Sequence, residues 1–241
     1  MDIEYFMFTD KGGREINEDC VKTASYGDSY CFVLCDGLGG HGRGEVASAL
    51  VAESIAQRFA ANGDSDTFIE TALDEAQEKL LSEQKRLHAP MEMKTTATVL
   101  TINGGEYKIG HIGDSRVYVF RKNKVLSRTL DHSVPQMLVL AGDIKEKHIR
   151  RHPDRNRLLR VMGVEWDSPR YEISESGTLK KGDAFLLCTD GFWEPITEKE
   201  MSKALKSSKS AEEWTAKMTE LIRKNADLAD MDNFSAVTVR I

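Results

Sequence analysis

The sequence predicts an α+β fold: a four-layer α-β-β-α sandwich, with two mainly antiparallel sheets flanked by helices. Three observations carry that expectation. Two long helical patterns follow one another, at 45–60 and 65–87, and three strand patterns then follow one another across 96–121. Blocks of like elements favour antiparallel sheet with helices outside over a regular βαβ alternation. Several strand segments, CFVLC and AFLLC among them, are apolar at almost every position, so both of their faces are covered. No repeat, low-complexity tract or Pro/Gly/Ser linker interrupts the 241 residues, so one domain, 1–241, is expected.

The elements follow in order. Strands are expected at 3–9, 20–26, 30–36, 96–102, 106–112, 115–121, 183–189 and 234–241, all rich in Val, Ile, Phe, Tyr and Thr. In 45–60, Ala47, Val51, Ile55 and Phe59 recur every fourth residue. In 65–87, Ile69, Ala72, Leu73, Ala76 and Leu80 form an apolar stripe. Three later helices are announced by capping boxes, Ser133–Gln136, Thr197–Glu200 and Ser210–Glu213, in which a hydroxyl and an acid or amide satisfy orphan backbone N–H groups. After Ser210, Trp214, Met218, Leu221 and Ile222 share one face, as helix core.

Composition excludes several classes. Basic residues number 33 and acidic ones 39, a formal charge of −6, with 40% hydrophobic and 30% charged residues. That is an ordinary globular balance, not a disordered chain, a collagen or a disulfide scaffold. A net acidic chain is a poor bulk ligand for nucleic acid or anionic lipid. No apolar run is long enough to span a bilayer, and residues 1–13 lack a basic start before an apolar core, so neither a membrane helix nor a signal peptide is expected. Cys20, Cys31, Cys35 and Cys188 show no Cys-x-x-Cys or zinc spacing and read as reduced thiols of a cytoplasmic protein.

The chemistry-bearing residues are acids at strand ends. The runs YCFVLCDG and AFLLCTDG each deliver an aspartate before a glycine, Asp36 and Asp190, and Asp232 precedes the last strand. If that strand runs antiparallel to the other two, all three acids meet at one edge. A like-charged pair at about 4 Å and an effective dielectric near 20 costs about 4 kcal/mol. Some carboxylates then hold protons, or cations sit among them. Oxygen donors without His or Cys suit Mg²⁺ or Mn²⁺ before zinc. Glu18 and Asp19 in the loop 14–19, with Arg14 upstream, and Asp114 in Gly113-Asp114-Ser115 are further candidates, although a hairpin tip alone would explain Asp114.

Residues 37–42, GLGGHG, match Gly-x-Gly-x-x-Gly between a strand and a helix, which raises a dinucleotide-binding oxidoreductase as a rival. That unit needs a second parallel strand ending in an acid about 20 residues on, and here helix continues. Gly44 is followed by Glu45, so this is not a triphosphate loop either. The glycines are better read as allowing close backbone approach at the acid cluster.

Eight segments in order, REINED (14–19), CDGLGGHGRGEVAS (35–48), TTATV (95–99), HIGDSRVYVFR (111–121), LDHS (130–133), RHPDRNRLLRVMG (151–163), CTDGFWE (188–194) and DNFSAV (232–237), resemble the metal-dependent type 2C serine/threonine phosphatases (PPM family) in their compact bacterial form. The resemblance runs from about Thr9 to Ile241. It implies the same sandwich and hydrolysis of phosphoserine and phosphothreonine in proteins by a hydroxide bridging two of two or three Mn²⁺ or Mg²⁺ ions. It further implies that Asp36 bridges two ions with the Gly37 carbonyl also a ligand, that Asp190 and Asp232 complete the first site, and that Glu18 and Asp19 hold metal-bound waters. Asp114 with Asp190 would form a third-ion site, Arg14 would clamp the substrate phosphate, and residues 133–170 would form a flap.

The chain departs from the family at Lys94, where glycine is usual, and at Leu38, where many eukaryotic members carry a proposed general-acid histidine. His41 is the nearby candidate, as proton donor or substrate contact; the rival is a loop histidine that orients backbone, with a metal-bound water protonating the leaving group. The basic run Lys145, Lys147, Arg150, Arg151, Arg155, Arg157 and Arg160 reads either as a face for an acidic phosphopeptide or as a solvated helix face. His111 reads as a core residue, and His88, His132, His148 and His152 lack ligand spacing. The expected partners are phosphorylated proteins, among them a Ser/Thr kinase and its substrates, for a monomeric cytoplasmic enzyme. An inactive relative that only binds phosphoproteins is the alternative.

Overall fold

The computed structural model describes residues 2–38, 43–89, 92–227 and 229–241. In chain order its elements are β1 (Glu4–Asp10), β2 (Asp19–Tyr26), β3 (Ser29–Leu38), α1 (Gly44–Asn62), α2 (Phe68–Arg86), β4 (Lys94–Thr95), β5 (Ala97–Asn103), β6 (Glu106–Ile112), β7 (Arg116–Arg121), β8 (Lys124–Arg128) and α3 (Val134–Ala141). There follow a 3-10 segment (Glu146–Arg151), β9 (Glu172–Ile173), β10 (Gly177–Thr178), β11 (Ala184–Cys188), α4 (Asp190–Trp193), α5 (Glu198–Ser207), α6 (Ala211–Asn225) and β12 (Phe234–Arg240). One sheet has the order β1-β12-β11-β7-β8; the other has β10-β6-β5-β3-β2, with β4 on β3 and β9 on β6. The strand pairings within both sheets are antiparallel.

Strand alternation explains the four layers. Along β3, Cys31, Val33 and Cys35 face α1 and α2, meeting Val51, Ile55, Phe59 and Leu73. Phe32 and Leu34 point the other way, into the space between the sheets, where Val117, Phe185, Leu187 and Val237 complete the packing. In β11, Leu186 and Cys188 turn outward to Trp193, Trp214 and Met218. Each central strand is thus buried on both faces, which is why CFVLC and AFLLC show no polar alternation. The four cysteines are free, and burial pushes the thiols of Cys31, Cys35 and Cys188 upward in pKa. Among the described residues no helix is long and apolar enough to cross a membrane.

Several expectations need correction. The three strands of 96–121 are not one meander: β5 and β6 pair in one sheet, and β7 belongs to the other. The turn Gly113-Asp114-Ser115 therefore crosses between sheets and is no hairpin tip. Thr197 and Glu200 form the full reciprocal capping box. Ser210 accepts from the Glu213 N–H, but Glu213 accepts from Lys209 instead of closing the box. At Ser133 no side-chain cap bond forms, and the reciprocal half is lost because Gln136 Oε1 accepts from Arg128 Nη2 at 3.0 Å. The sequence reading missed β8, a short strand beginning and ending on charged residues, and the two-residue strands β4, β9 and β10.

Candidate metal centre

Where the two sheets meet at one rim, a cavity of about 400 Å³ is lined by Arg14, Glu18, Asp36, Gly37, Asp114, Asp190 and Asp232, with Leu38, Asn156, Leu158 and Asn233 beside them. The carboxylates arrive from different elements. Asp36 lies near the end of β3 in one sheet. Asp190 opens α4 just after β11, and Asp232 precedes β12 in the other. The acids thus share a rim made by two sheets, not the edge of one. Asp114 comes from the turn that crosses between them.

Asp19 sits behind the cavity wall, opposite Asp36 in the β2–β3 register. Like charges directly opposite across a ladder destabilise it. Asp19 Oδ2 accepts from Thr189 Oγ1 at 3.1 Å, whereas Oδ1 is buried with no hydrogen-bond partner. Glu18 accepts from the Gly44 N–H at the start of α1, a favourable place for an anion. The Glu18 backbone N–H donates to Asn233 Oδ1 at 2.8 Å, and Asn233 Nδ2 donates to the carbonyls of Lys11 and Ile16. Asn233 therefore pins the loop that carries Arg14 and Glu18. The sequence reading gave it no role; the Asp-Asn pair that precedes the last strand was the available signal.

Burial and crowding disturb the acids. Desolvation first, then Asp19, Asp190, Asp114 and Asp232, push Asp36 well above the carboxylate range. Burial and then Asp190 do the same to Asp114. Asp19 is pushed up to about 8, mainly by burial, with Asp190 adding repulsion. Asp190 is pushed up to about 6 by burial and Asp232, and its carboxyl lies within hydrogen-bond reach of that of Asp36. The set suits hard divalent cations: its side-chain donors are oxygens, it is short of positive charge, and it leaves a buried carboxylate oxygen unpaired. The carboxylates ring the cavity and do not converge on one point. Among the described residues, the only three His, Cys, Asp or Glu side chains with ligand atoms all within 4.8 Å of one another are His111, His132 and Glu172, elsewhere.

Two glycines are required by space. A Cβ on Gly37 would lie 2.3 Å from the Gly44 carbonyl oxygen and 2.7 Å from that of Glu18. Gly113 has φ +105°, and a Cβ there would lie 2.5 Å from Thr96 Cγ2. Behind Asp114 the wall is built on a buried ion pair. Arg116 donates to both oxygens of Asp131 at 2.7 and 2.6 Å, and its Cζ stacks 3.4 Å from the Trp193 ring centroid. Trp193 Nε1 in turn donates to the Asp114 carbonyl at 3.1 Å.

The segment 133–170 lies beside the cavity, to which it contributes Asn156 and Leu158. Its basic run is not a helix face: only Glu146–Arg151 forms a 3-10 segment. Arg150 binds the Ile196 carbonyl and Glu198, Arg155 pairs with Glu194, and Arg160 pairs with Glu172. Lys145, Lys147, Arg151 and Arg157 make no ion pair among the described residues. His41 lies outside the described residues, so the structure does not bear on that candidate.

The chain belongs to the protein phosphatase 2C family, whose model matches residues 13–234. It is 31% identical over 214 residues to the serine/threonine protein phosphatase PstP of Mycobacterium tuberculosis, covering 87% of this chain and 40% of that protein's length. The fold matches serine/threonine phosphatase Stp1 from Staphylococcus aureus with a TM-score of 0.89 at 27% identity, over 100% of this chain and 96% of that one. It also matches the catalytic domain of PstP in complex with two manganese ions, with a TM-score of 0.83 at 26% identity, over 99% of this chain and 97% of that one.

Proposed function

We propose that residues 1–241 form one catalytic domain that hydrolyses phosphoserine and phosphothreonine in proteins, with two or three Mn²⁺ or Mg²⁺ ions held in the acid-lined cavity. The observation that carries this reading is the buried Asp36 carboxyl, surrounded by Asp19, Asp114, Asp190 and Asp232 in a chain of this family. Asp36, Asp190, Asp232 and the Gly37 carbonyl would hold the two principal ions, with Glu18 and Asp19 acting through water. Asp114, with Asp190, would hold a third. Bound there, such ions supply Lewis-acid stabilisation of phosphoryl oxygens and a water activated near neutral pH.

The chain's own residues do the rest. Arg14, more than half exposed at the cavity mouth, offers two parallel N–H donors to the phosphate oxygens. Leu38 and Leu158 give the cavity an apolar lip against which the substrate chain packs. Asn233 and the Glu18–Gly44 bond keep the Arg14 loop in register with the acids, so that catalysis is mainly positioning and electrostatics. His41 is the candidate to protonate the leaving serine oxygen; unchanged turnover of His41→Ala across pH removes it from that role.

Its substrates would be the products of a Ser/Thr kinase, met by a monomeric enzyme in the cytoplasm. The intact carboxylate set argues against a relative that binds phosphoproteins without hydrolysis. Hydrolysis of p-nitrophenyl phosphate and then of a phosphothreonine peptide, dependent on Mn²⁺ and stopped by EDTA, supports the proposal. No turnover with either metal overturns it.

A further inference from the structure

Outside the acid cluster and the Arg116–Asp131 pair, the described residues hold a buried knot of titratable groups centred on His132. The ring of His132 stacks on that of His111, with centroids 4.7 Å apart and planes 13° apart, and both residues are about 5% exposed. His111 Nε2 donates to the Leu130 carbonyl at 2.8 Å. His132 binds Gly113 twice: its backbone N–H donates to the Gly113 carbonyl at 2.9 Å, and its Nδ1 accepts from the Gly113 N–H at 3.1 Å. Its own carbonyl accepts from Leu159 N–H at 2.8 Å. Its Nε2 lies 3.2 Å from Glu172 Oε1, off the line of a good hydrogen bond and with no other partner, while Arg160 Nη1 donates to the same oxygen at 3.0 Å.

This geometry fixes the tautomer. Because Nδ1 is an acceptor, the neutral ring carries its proton on Nε2, on the side of Glu172. A cation among His111, His132 and Glu172 would need a lone pair at that nitrogen, so the three are a packed polar set and not an ion site.

We infer that His132 is a positioning residue: its ring and backbone clamp Gly113, fix the turn that carries Asp114 into the cavity, and tie that turn to the 133–170 segment through Leu159 and to β9 through Glu172. The clamp acts where the turn is least supported. Gly113 has no side chain to pack, its φ is positive, and the turn must pass from one sheet to the other. Trp193 holds the Asp114 carbonyl from one side, and His132 holds the residue before it from the other. This inference rests on the reading of Asp114 as a metal-holding carboxylate, and it gives that carboxylate a second layer of support, of the kind whose loss typically weakens metal affinity about 10–100-fold.

The test uses Mn²⁺ alone. Wild type, His132→Ala, His132→Asn, His132→Gln and Asp114→Asn are titrated with Mn²⁺ by calorimetry, and hydrogen exchange of residues 111–116 is followed in the metal-free proteins. The asparagine oxygen overlays Nδ1 and still accepts from Gly113; the longer glutamine reaches the Nε2 position and leaves Gly113 unpaired. The expected result is that Ala and Gln variants lose affinity for the Asp114-dependent ion by about tenfold and exchange faster at 113–116. The Asn variant keeps both. Wild-type affinity and exchange in His132→Ala, or an Asn variant as impaired as the Ala one, overturns the inference. If His132→Ala does not fold, Asn against Gln decides the same question. Should Asp114→Asn bind Mn²⁺ like wild type, the reading of Asp114 fails instead, and the clamp is judged by exchange alone.

Discussion

Arg14 Nη2 lies 2.9 Å from Asp232 Oδ2, so the guanidinium at the cavity mouth is paired with a carboxylate of the same rim. Both partners are substantially exposed, and such a pair contributes roughly 0–1 kcal/mol. The pair therefore holds Arg14 over the cavity at little cost to its release.

From this it follows that Arg14→Ala leaves the melting temperature within a few degrees of wild type. The KM for a phosphopeptide rises about tenfold, as expected for loss of a charge-assisted contact. Steady-state kinetics and a thermal scan of the same preparation check both halves. An unchanged KM removes Arg14 from phosphate binding.

Asp36→Asn separates chemistry from folding. Turnover falls by roughly 10²-fold or more and Mn²⁺ binding is lost. Yet the metal-free protein melts a few degrees higher, because the variant removes one member of a crowded, buried carboxylate set. A shift of 2–4 °C corresponds to about 1 kcal/mol in a domain of this size. Calorimetry in EDTA reads the sign directly, and a lower melting temperature contradicts the repulsion argument.

Metal itself is expected to stabilise the wild-type fold. At 100 times its dissociation constant, a ligand of the native state adds about 2.7 kcal/mol. Mn²⁺ should raise the melting temperature of wild type, EDTA should reverse the rise, and Asp36→Asn should show none.

The Arg116–Asp131 pair is the wall's most exposed weakness to mutation, being fully buried and bidentate. Arg116→Met leaves the Asp131 carboxylate with only the 3.5 Å contact to Arg128 Nη1 and is expected to cost about 3–5 kcal/mol in urea unfolding. The double variant Arg116→Met with Asp131→Leu should recover most of that loss. A double variant no better than the single would mean that the stacking on Trp193, and not the charge, dominates.

The two histidines give a signed pH effect. Burial first, and for His132 also the neighbouring His111, lower both rings below 6.5, with His132 at about 4. The unfolded chain takes up these protons near pH 6.5 and the folded one does not. Their contribution to stability is therefore whole above pH 6.5 and is lost as the pH falls towards 4, by up to about 1.4 kcal/mol per pH unit for each ring. Urea midpoints at pH 7 and pH 5 should differ less in His132→Asn than in wild type. Equal differences would show that the ring is not held neutral.

The layers were legible because a doubly covered strand must be apolar at every position, and residues 31–35 and 184–188 are. The acids were legible because Asp-Gly at the end of such a strand has no packing reason to recur. What stayed hidden depended on distant partners. Gln136 looked like a capping residue until Arg128, from another element, claimed it. Asp114 looked like a hairpin tip because nothing local says that β7 leaves the sheet of β6. Asn233 and His132 act through backbone groups of residues far away in sequence, and no spacing rule reports such bonds.

Gly37 separates two kinds of constraint on this chain. Its missing side chain makes room for the crossing of β3 under the first turn of α1, an architectural demand that exists with or without any ion. The Asp232 side chain touches Arg14 and the Asn233 N–H, and on the proposed reading its constraint would come from the ions. On that reading, a descendant that had given up turnover would be free to drift at 232 but not at 37, so glycine at that crossing would mark the shared architecture and the aspartates the chemistry.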